Sequence, residues 1–230
     1  MHITLTGNLG SGKSTLSKLL ETEYGYEVFS TGKVIRQIAE EHGVSVLEMN
    51  RLMEEDHQYD HMIDDTTARI ARENPEKNIL FDSRLAWNFV ESSFKVFLSV
   101  SLAVAAERVM GDNRGDVEVY ASLDDAKTQL AERAATEDRR YRDIYGIEYF
   151  DYSNYNLILD STDCPAELLA QILVEEAAAY ETAVKEGKDV PKTRLILSVQ
   201  RPENDFAQEK AAGTVTRQML HGVEFEVVTL

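Results

Sequence analysis

GNLGSGKS, at residues 7–14, matches the pattern G-x-x-x-x-G-K-[ST] of a phosphate-binding loop (P-loop). The apolar run at residues 2–6 predicts a strand before it, and a helical pattern follows from Lys13 to about Tyr24. Glycines let successive backbone N–H groups point at phosphate oxygens, and the helix N-terminus adds the positive end of its dipole. The sequence therefore predicts a nucleotide-binding site near the start of the chain.

Two polar side chains of this loop have expected chemical roles. The Lys13 ammonium can reach the β- and γ-phosphates of ATP, and the Ser14 hydroxyl can ligate Mg²⁺. A P-loop predicts a bound nucleotide but does not identify the reaction, since GTPases, transport ATPases and small-molecule kinases all contain one. No N-K-x-D pattern of a GTPase follows in the sequence, and the chain is short for an oligomeric ATPase. With GTPases and oligomeric ATPases disfavoured, the leading class is a compact kinase.

Short apolar runs alternate with helical patterns over the first 187 residues, which predicts an α/β domain around a parallel sheet. We expect the P-loop NTPase fold with a central parallel sheet of five strands. A pairing of Ser122 with Asp125 predicts the start of a helix that ends near Tyr145. The five predicted strands lie at residues 2–6, 27–30, 78–82, 95–100 and 155–160.

The charged segment KEGKDVPK, at residues 185–192, is the predicted boundary between a domain at 1–187 and a small extension at 188–230. Within the extension, residues 193–199 and 223–230 predict strands, with a helical or irregular stretch between them. These strands either extend the sheet, form a small added module or make a homodimer contact. The sequence does not choose among these three.

Composition limits the partners of this chain. It has 24 Lys and Arg against 41 Asp and Glu, a formal net charge of −17. Such a surface repels nucleic acid and anionic membranes, and an anionic substrate therefore needs a local basic site. A single cysteine excludes an internal disulfide, and neither a signal peptide nor an apolar run long enough for a membrane span is apparent. We expect a cytoplasmic protein.

Asp82 ends the apolar run NILFD and is, after Ser14, the second candidate residue for placing Mg²⁺. A carboxylate at the carboxyl end of a buried strand can hold the hydration shell of Mg²⁺. The alternative is an aspartate that merely forms a turn after a strand. We interpret Asp82 and Ser14 together as the residues that place the metal.

A kinase whose acceptor is itself a phosphate needs arginines from separate segments, because catalysis is positioning and charge neutralisation. Guanidinium groups make forked contacts with phosphate. Arg36 lies in the first turns of a predicted helix, and Arg84 follows Asp82 by two residues. For each arginine taken alone, a surface ion pair is the better explanation. Beside a P-loop, both are candidates for binding the acceptor phosphate.

A further group of arginines belongs to TEDRRYRDIYG, at residues 136–146. Arg133 and Arg140 are seven residues apart, which is two helical turns, so they share one helix face. We predict that this face meets phosphate. Arg139 and Arg142 point elsewhere on the helix, and we expect them to meet solvent and the many carboxylates of the chain.

Several segments together resemble the cytidylate kinases, specifically the archaeal-type branch of the nucleoside monophosphate kinases. They occur in the order of that family and cover roughly residues 1–175. The arginine-rich segment that ends in YGI, followed by YNLILD, carries more of the resemblance than the P-loop does. The matching segments are GNLGSGKST, STGKVIRQIAEE, RLAW, ERAATEDRRYRDIYGIE and YNLILDST.

The resemblance implies roles for individual residues. Arg36 and Arg84 would bind the acceptor phosphate, with Thr31 near the acceptor. Residues 31–75 would form the helical acceptor-binding insertion. Residues that would bind the ATP phosphates are Gly7, Asn8, Leu9, Gly10, Ser11, Gly12, Lys13, Ser14 and Thr15.

It also implies a helical lid at residues 108–145. Arg133 and Arg140 match the arginines that the mobile lid of the family lays over the transferring phosphoryl group. Lys13 would act with them in catalysis, and Arg108 resembles an arginine that stacks on the donor adenine in related kinases.

The implied activity is transfer of a phosphoryl group from ATP, with Mg²⁺, to CMP or dCMP. The partners would then be small nucleotide substrates. Two positions depart from the usual pattern: Ser83 replaces a glycine, and Leu85 replaces the aspartate of bacterial-type members, although archaeal-type members share the leucine. Two alternatives stay open, namely a kinase for another small acceptor, or a nucleotide-binding regulatory or interaction protein that kept the kinase fold.

Overall fold

The computed structural model of the protein describes residues 1–45, 49, 52, 58–111, 120–202 and 204–230, with only the backbone described at 58–60. Parts of the expected acceptor-binding insertion and of the lid region therefore lie outside the described residues. The chain divides into two compact units. The first unit comprises Met1–Thr6 and Ser14–Val96, and the second comprises Gly7–Lys13 and Phe97–Leu230.

The first unit contains most of the predicted first strand, most of the helix after the loop, and the elements that follow, whereas the loop itself belongs to the second unit. β3 (Ile79–Asp82) lies between β2 (Glu27–Ser30) and β1 (His2–Gly7), and both pairings are parallel. Leu5 and Ser30 are in register with Asp82. Parallel strands place their carboxyl ends at one edge of a sheet, so Asp82 lies at that edge. The elements are β1 (His2–Gly7), α1 (Lys13–Tyr24), β2 (Glu27–Ser30), α2 (Thr31–Glu41), α3 (Gln58–Glu73), β3 (Ile79–Asp82), α4 (Ala86–Phe89) and β4 (Phe94–Ser99), of which Gly7, Lys13 and Phe97–Ser99 belong to the second unit.

The core of the first unit lies between these helices and the sheet. Val34 and Ile38 are four residues apart on α2, so they share one helix face, and both are buried. They belong to one cluster with Ile70 of α3 and Ile79 and Phe81 of β3. This packing fixes α2 and α3 on the sheet, which sets the position of Arg36, the arginine of α2.

The second unit contains the strands from the end of β4 onward. In this unit the strand order is β4, β5, β6, β8, β7, with β6 parallel to β5 and the last two strands antiparallel. The extension therefore adds three strands to the sheet. Its elements are α5 (Leu102–Gly111), α6 (Leu123–Tyr145), β5 (Leu157–Asp160), α7 (Ala166–Lys185), β6 (Arg194–Ser198), α8 (Ala207–Ala212), β7 (Thr214–Leu220) and β8 (Val223–Thr229).

The α/β class with a mostly parallel sheet is confirmed, while one part of the extension differs from the expectation. The stretch between the two predicted strands was expected to be helical or irregular, but it contains the seven-residue strand β7. Most of β7 is exposed, so its residues lack the buried apolar face that makes strands recognisable. Its turn is a stronger signal, since His221 and Gly222 have φ of 49° and 82° and join β7 to β8. The boundary after residue 187 stays a prediction.

Helix α6 begins and ends where the sequence predicts. The Ser122 side chain accepts a hydrogen bond from the backbone N–H of Asp125 and caps the first turn. Gly146 ends the helix in a left-handed conformation, with φ of 68°. Within the described ranges, no helix combines the length and apolar character needed to cross a bilayer.

Candidate phosphate-binding site

The first turn of the loop lies against β4. The Asn8 N–H donates to the Leu98 carbonyl at 3.0 Å, and the Asn8 side-chain oxygen accepts from the Val100 N–H at 3.2 Å. Gly7 has φ of 147°, and a Cβ there would lie 2.1 Å from the Leu98 carbonyl oxygen. Only glycine allows the backbone to pass this close to the strand.

Several carbonyl groups of the loop are bonded to protein donors. The Ser161 hydroxyl lies 2.9 Å from the Ser11 carbonyl oxygen, and Arg108 Nη1 donates to the Gly10 carbonyl at 3.3 Å. Because the N–H and C=O of a trans peptide point in opposite directions, fixing the Ser11 carbonyl turns the Gly12 N–H the other way. An oriented backbone N–H of this kind, at the start of α1, is an anion-binding group.

Lys13 folds back over the loop from the first position of α1. Its ammonium donates to the Gly7 and Asn8 carbonyls, at 3.2 Å each. The ammonium is thereby held beside the loop backbone to which phosphates would bind. Leu9 packs against the cluster of Val100 and the α5–α6 side chains, and Gly12, Ser14 and Thr15 are exposed.

Arg108 lies on α5 and contacts the loop directly. Besides Gly10, it bonds the hydroxyl of Ser161 at 3.1 Å and the carbonyl of Ser161 at 2.6 Å. The structure thus shows Arg108 bonded to the loop backbone, a contact that the sequence analysis did not predict. Its implied stacking on an adenine stays a prediction.

A buried tyrosine also supports the first glycine of the loop. The Tyr149 hydroxyl accepts from the Gly7 N–H at 3.4 Å, and the side chain is almost fully buried. Tyr155 donates to the Tyr149 carbonyl at 2.8 Å, and the Tyr141 ring of α6 lies 5.4 Å from the Tyr149 ring. The aromatic run from 141 to 155 is the only sequence signal that could have indicated this support.

In the first unit, the residues expected to place Mg²⁺ lie on α1 and at the end of β3. Ser17 donates to the Asp82 carboxylate at 3.1 Å, and Ser14 precedes Ser17 by three residues on the same helix face. Hydroxyl and carboxylate oxygens suit Mg²⁺. No group of three or more His, Cys, Asp or Glu side chains suited to a metal occurs among the described residues. These side chains fit a metal that draws its other ligands from phosphate and water.

The acceptor candidates also belong to the first unit. Thr31 is the first residue of α2, and the preceding Ser30 caps the helix by accepting from the Lys33 N–H. Arg36 is exposed, and it has no hydrogen bond or ion pair with another described residue. Arg84 is half-buried just beyond Asp82. Both candidate arginines thus lie just beyond the carboxyl ends of adjacent strands, Arg36 after β2 and Arg84 after β3.

The arginines of α6 differ in their contacts. Arg142 pairs with Asp138 at 2.9 Å and also with Glu148, and the bond to Glu148 raises the pKa of the guanidinium. Arg133 Nε lies 3.4 Å from a carboxylate oxygen of Glu137. Arg140 is exposed. Arg142 therefore meets carboxylates as expected, while phosphate contacts of Arg133 and Arg140 stay predictions.

Comparison with known proteins gives a family. A family model described as the cytidylate kinase-like family matches residues 2–163. A cytidylate kinase of Methanocella arvoryzae is 34% identical over 173 residues, which cover 75% of this chain and 94% of that protein. A cytidylate kinase of Haloarcula marismortui is 35% identical over 190 residues, covering 82% of this chain and 95% of that protein.

A solved structure agrees at the level of the fold. A shikimate kinase from Aquifex aeolicus is 17% identical, with a TM-score of 0.51 over 79% of this chain and 98% of that chain. Its likeness concerns the fold alone. The family match and the two archaeal relatives confirm the resemblance that the sequence segments indicated. The chain belongs to the cytidylate kinase-like family and is a nucleoside monophosphate kinase.

Proposed function

We propose that the protein transfers the γ-phosphoryl group of ATP, with Mg²⁺, to CMP or dCMP, giving ADP and the nucleoside diphosphate. The observation that carries this proposal is the loop at residues 7–13, with its fixed carbonyls and the Lys13 ammonium, in a chain similar to named cytidylate kinases. A phosphate oxygen of the acceptor attacks the γ-phosphorus. The bond to the bridging oxygen breaks, and ADP leaves with the electron pair.

This transfer needs no general base, because the acceptor phosphate is already ionised at neutral pH. The protein contributes positioning and charge neutralisation. In the proposal Lys13 stabilises charge on the transferring group, and Arg133 and Arg140 contribute further positive charge. Arg36 and Arg84 bind the acceptor phosphate, and Thr31 lies near the acceptor.

Ser14 and Asp82 would hold Mg²⁺, which when bound neutralises the phosphate oxygens. Arg108 would lie beside the donor nucleotide, since it already bonds the loop at Gly10. The remaining residues of the proposed ATP site are those of the loop, Gly7 to Thr15.

We also place the enzyme in the cytoplasm, with small nucleotides rather than nucleic acid or membranes as its partners. The single cysteine, Cys164, is about half-buried, and burial raises its thiol pKa to about 11. A thiol with so little thiolate at neutral pH is a poor nucleophile. Because the chain has a single cysteine, it cannot form an internal disulfide, which agrees with a reducing compartment. A homodimer contact through the extension stays a prediction.

An acceptor panel tests the proposal. We expect ATP and Mg²⁺ to support turnover of CMP and dCMP with kcat/KM about 10²-fold above that of UMP and AMP, because base-reading hydrogen bonds discriminate strongly. ADP formation would be measured for all four monophosphates, with the Lys13→Ala variant as background. A different preferred monophosphate would replace the proposed acceptor, and turnover of none would refute the kinase proposal.

The role of Asp82 is tested by its dependence on magnesium. Asp82→Asn is expected to raise the Mg²⁺ concentration at half-maximal activity about tenfold, because an outer-shell carboxylate is lost. Asp189→Asn, in the exposed loop after α7, provides a control of the same chemistry. An unchanged magnesium dependence in Asp82→Asn would remove this residue from the site.

A further inference from the structure

Arg201, in the extension just beyond β6, has an almost fully buried guanidinium group. Its side chain is 8% exposed, and that of its partner Asp160 is 0% exposed. Nη1 donates to Asp160 Oδ1 at 2.6 Å, Nη2 to the Val100 carbonyl at 3.3 Å and Nε to Asp205 at 2.9 Å. Desolvation offsets much of the energy of such a buried pair, so the pair is better evidence of a fixed geometry than of stability.

Asp160, the last residue of β5, receives more than this one bond. Its Oδ1 accepts from the N–H of Thr162 at 3.1 Å and from the hydroxyl of Thr162 at 2.6 Å. Its Oδ2 accepts from the Ser198 N–H of β6 at 3.0 Å. The carboxylate therefore fixes the backbone at residues 160–162, and two of its partners come from the extension.

Residues 160–162 lead directly to the P-loop. Ser161, between Asp160 and Thr162, contacts the Ser11 carbonyl through its hydroxyl and accepts two bonds from Arg108. Arg108 in turn bonds the Gly10 carbonyl. One route from Arg201 to the loop thus runs through Asp160 and Ser161.

A second route runs through a single residue, Val100. The Val100 carbonyl accepts from Arg201, and the Val100 N–H donates to the Asn8 side chain. Both routes end on groups that set the orientation of the loop peptides.

Local packing holds the guanidinium in this position. It lies over the Phe206 ring at 4.9 Å, and the Phe206 ring is 4.9 Å from that of Tyr152. Phe206 has φ of 59°, in the left-handed region that aromatic residues rarely adopt. Such a conformation persists only where the surroundings hold it, which indicates that this corner is firmly packed.

We propose that Arg201 is a positioning residue for the P-loop, acting through Asp160 and Val100 on the carbonyls and side chains that orient the loop. The ligand in this inference is the ATP of the proposed function, on which it rests. Asp160 lies within the family match at 2–163, whereas Arg201 lies beyond it. The extension thus supplies the cation for a carboxylate of the matched segment and ties the loop to β6.

Amide hydrogen exchange of the full chain tests this without requiring activity. Two variants are compared with wild type, well below every melting temperature. Arg201→Lys keeps a positive charge for Asp160 but loses the planar guanidinium group that bonds three acceptors at once. Arg201→Gln removes the positive charge as well. We expect exchange of the peptides covering residues 8–14 and 160–162 to be about tenfold faster in both variants, the size of a typical coupling energy.

Arg194→Gln is the matched control. Arg194 lies on β6 of the same extension and pairs with Glu176 at 3.3 Å and with Gln218 at 3.0 Å, neither of which contacts the loop. Equal protection of residues 8–14 in the Arg201 and Arg194 variants would overturn the proposal. So would faster exchange in every segment in proportion to lost stability. If Arg201→Gln does not fold, Arg201→Lys and the double variant Asp160→Asn/Arg201→Gln carry the same comparison.

Steady-state kinetics give a second readout. Arg201→Lys is expected to raise KM for ATP about tenfold with KM for CMP unchanged, because only the donor loop is displaced. Equal changes in both KM values would overturn a specific effect on the loop. A wild-type protein that phosphorylates no monophosphate would refute the proposed function, while the exchange comparison would still decide the role of Arg201.

Discussion

Arg140→Ala is expected to lower kcat by about 10³-fold, the lower end of what a charge-stabilising arginine contributes to phosphoryl transfer. Arg140 is exposed on α6, and its proposed contact with phosphate forms only when charge develops on the transferring group. An interaction made only in the transition state changes kcat and leaves substrate binding nearly intact. KM for ATP should therefore stay close to its wild-type value.

The matched control for this variant is Arg142→Ala, on the same helix. Arg142 forms ion pairs with Asp138 and Glu148, so its replacement by alanine should change kcat little. Initial rates with ATP and CMP, at saturating concentrations of both, give kcat for the two variants. An Arg140→Ala enzyme as active as Arg142→Ala would remove Arg140 from the site.

Gly7→Ala is expected to lower the free energy of unfolding by more than about 4 kcal/mol. Losses of this size are exceptional and arise from severe strain or packing defects. The added methyl group would lie 2.1 Å from the Leu98 carbonyl oxygen, at a φ of 147°. The contact is with backbone, which has no rotamer to change, so the loop or β4 must move. Urea unfolding of the wild type and the variant measures the loss in free energy of unfolding, provided that each protein unfolds in a single transition.

Gly25→Ala separates the steric clash from the backbone strain. Gly25 also has positive φ, at 70°, but no atom lies within 4 Å of its Cβ position. Its replacement should cost only the left-handed strain, about 1–2 kcal/mol. Equal losses in the two variants would show that the approach of Gly7 to Leu98 contributes nothing.

Most of the fold could be predicted from local patterns in the sequence. The loop at 7–14, the cap at Ser122 and the end of β3 at Asp82 each depend on residues close together in the chain. Periodicity and capping report on such short-range geometry. The α/β class followed from the alternation of apolar runs and helical patterns, and the kinase family from the resemblance of five segments in their order.

Contacts between residues far apart in the chain could not be predicted from such local patterns. Tyr149 lies 142 residues from Gly7, and nothing in either segment indicates a hydrogen bond between them. Arg201 belongs to no recognisable motif, and its ion pair joins it to Asp160, 41 residues earlier in the chain. β7 was missed for a different reason, namely that an exposed edge strand needs no apolar face.

During synthesis of the chain, the ion pair between Asp160 and Arg201 cannot form until both residues have been added. Arg201 follows Asp160 by 41 residues, so a ribosome adding 5–20 residues each second reaches it roughly 2 to 8 seconds later. During that interval the nascent β5 carries a carboxylate whose cation does not yet exist, and burying it alone is unfavourable. If Arg201 positions the loop as proposed, a chain that stops before residue 201 would have a P-loop without this support.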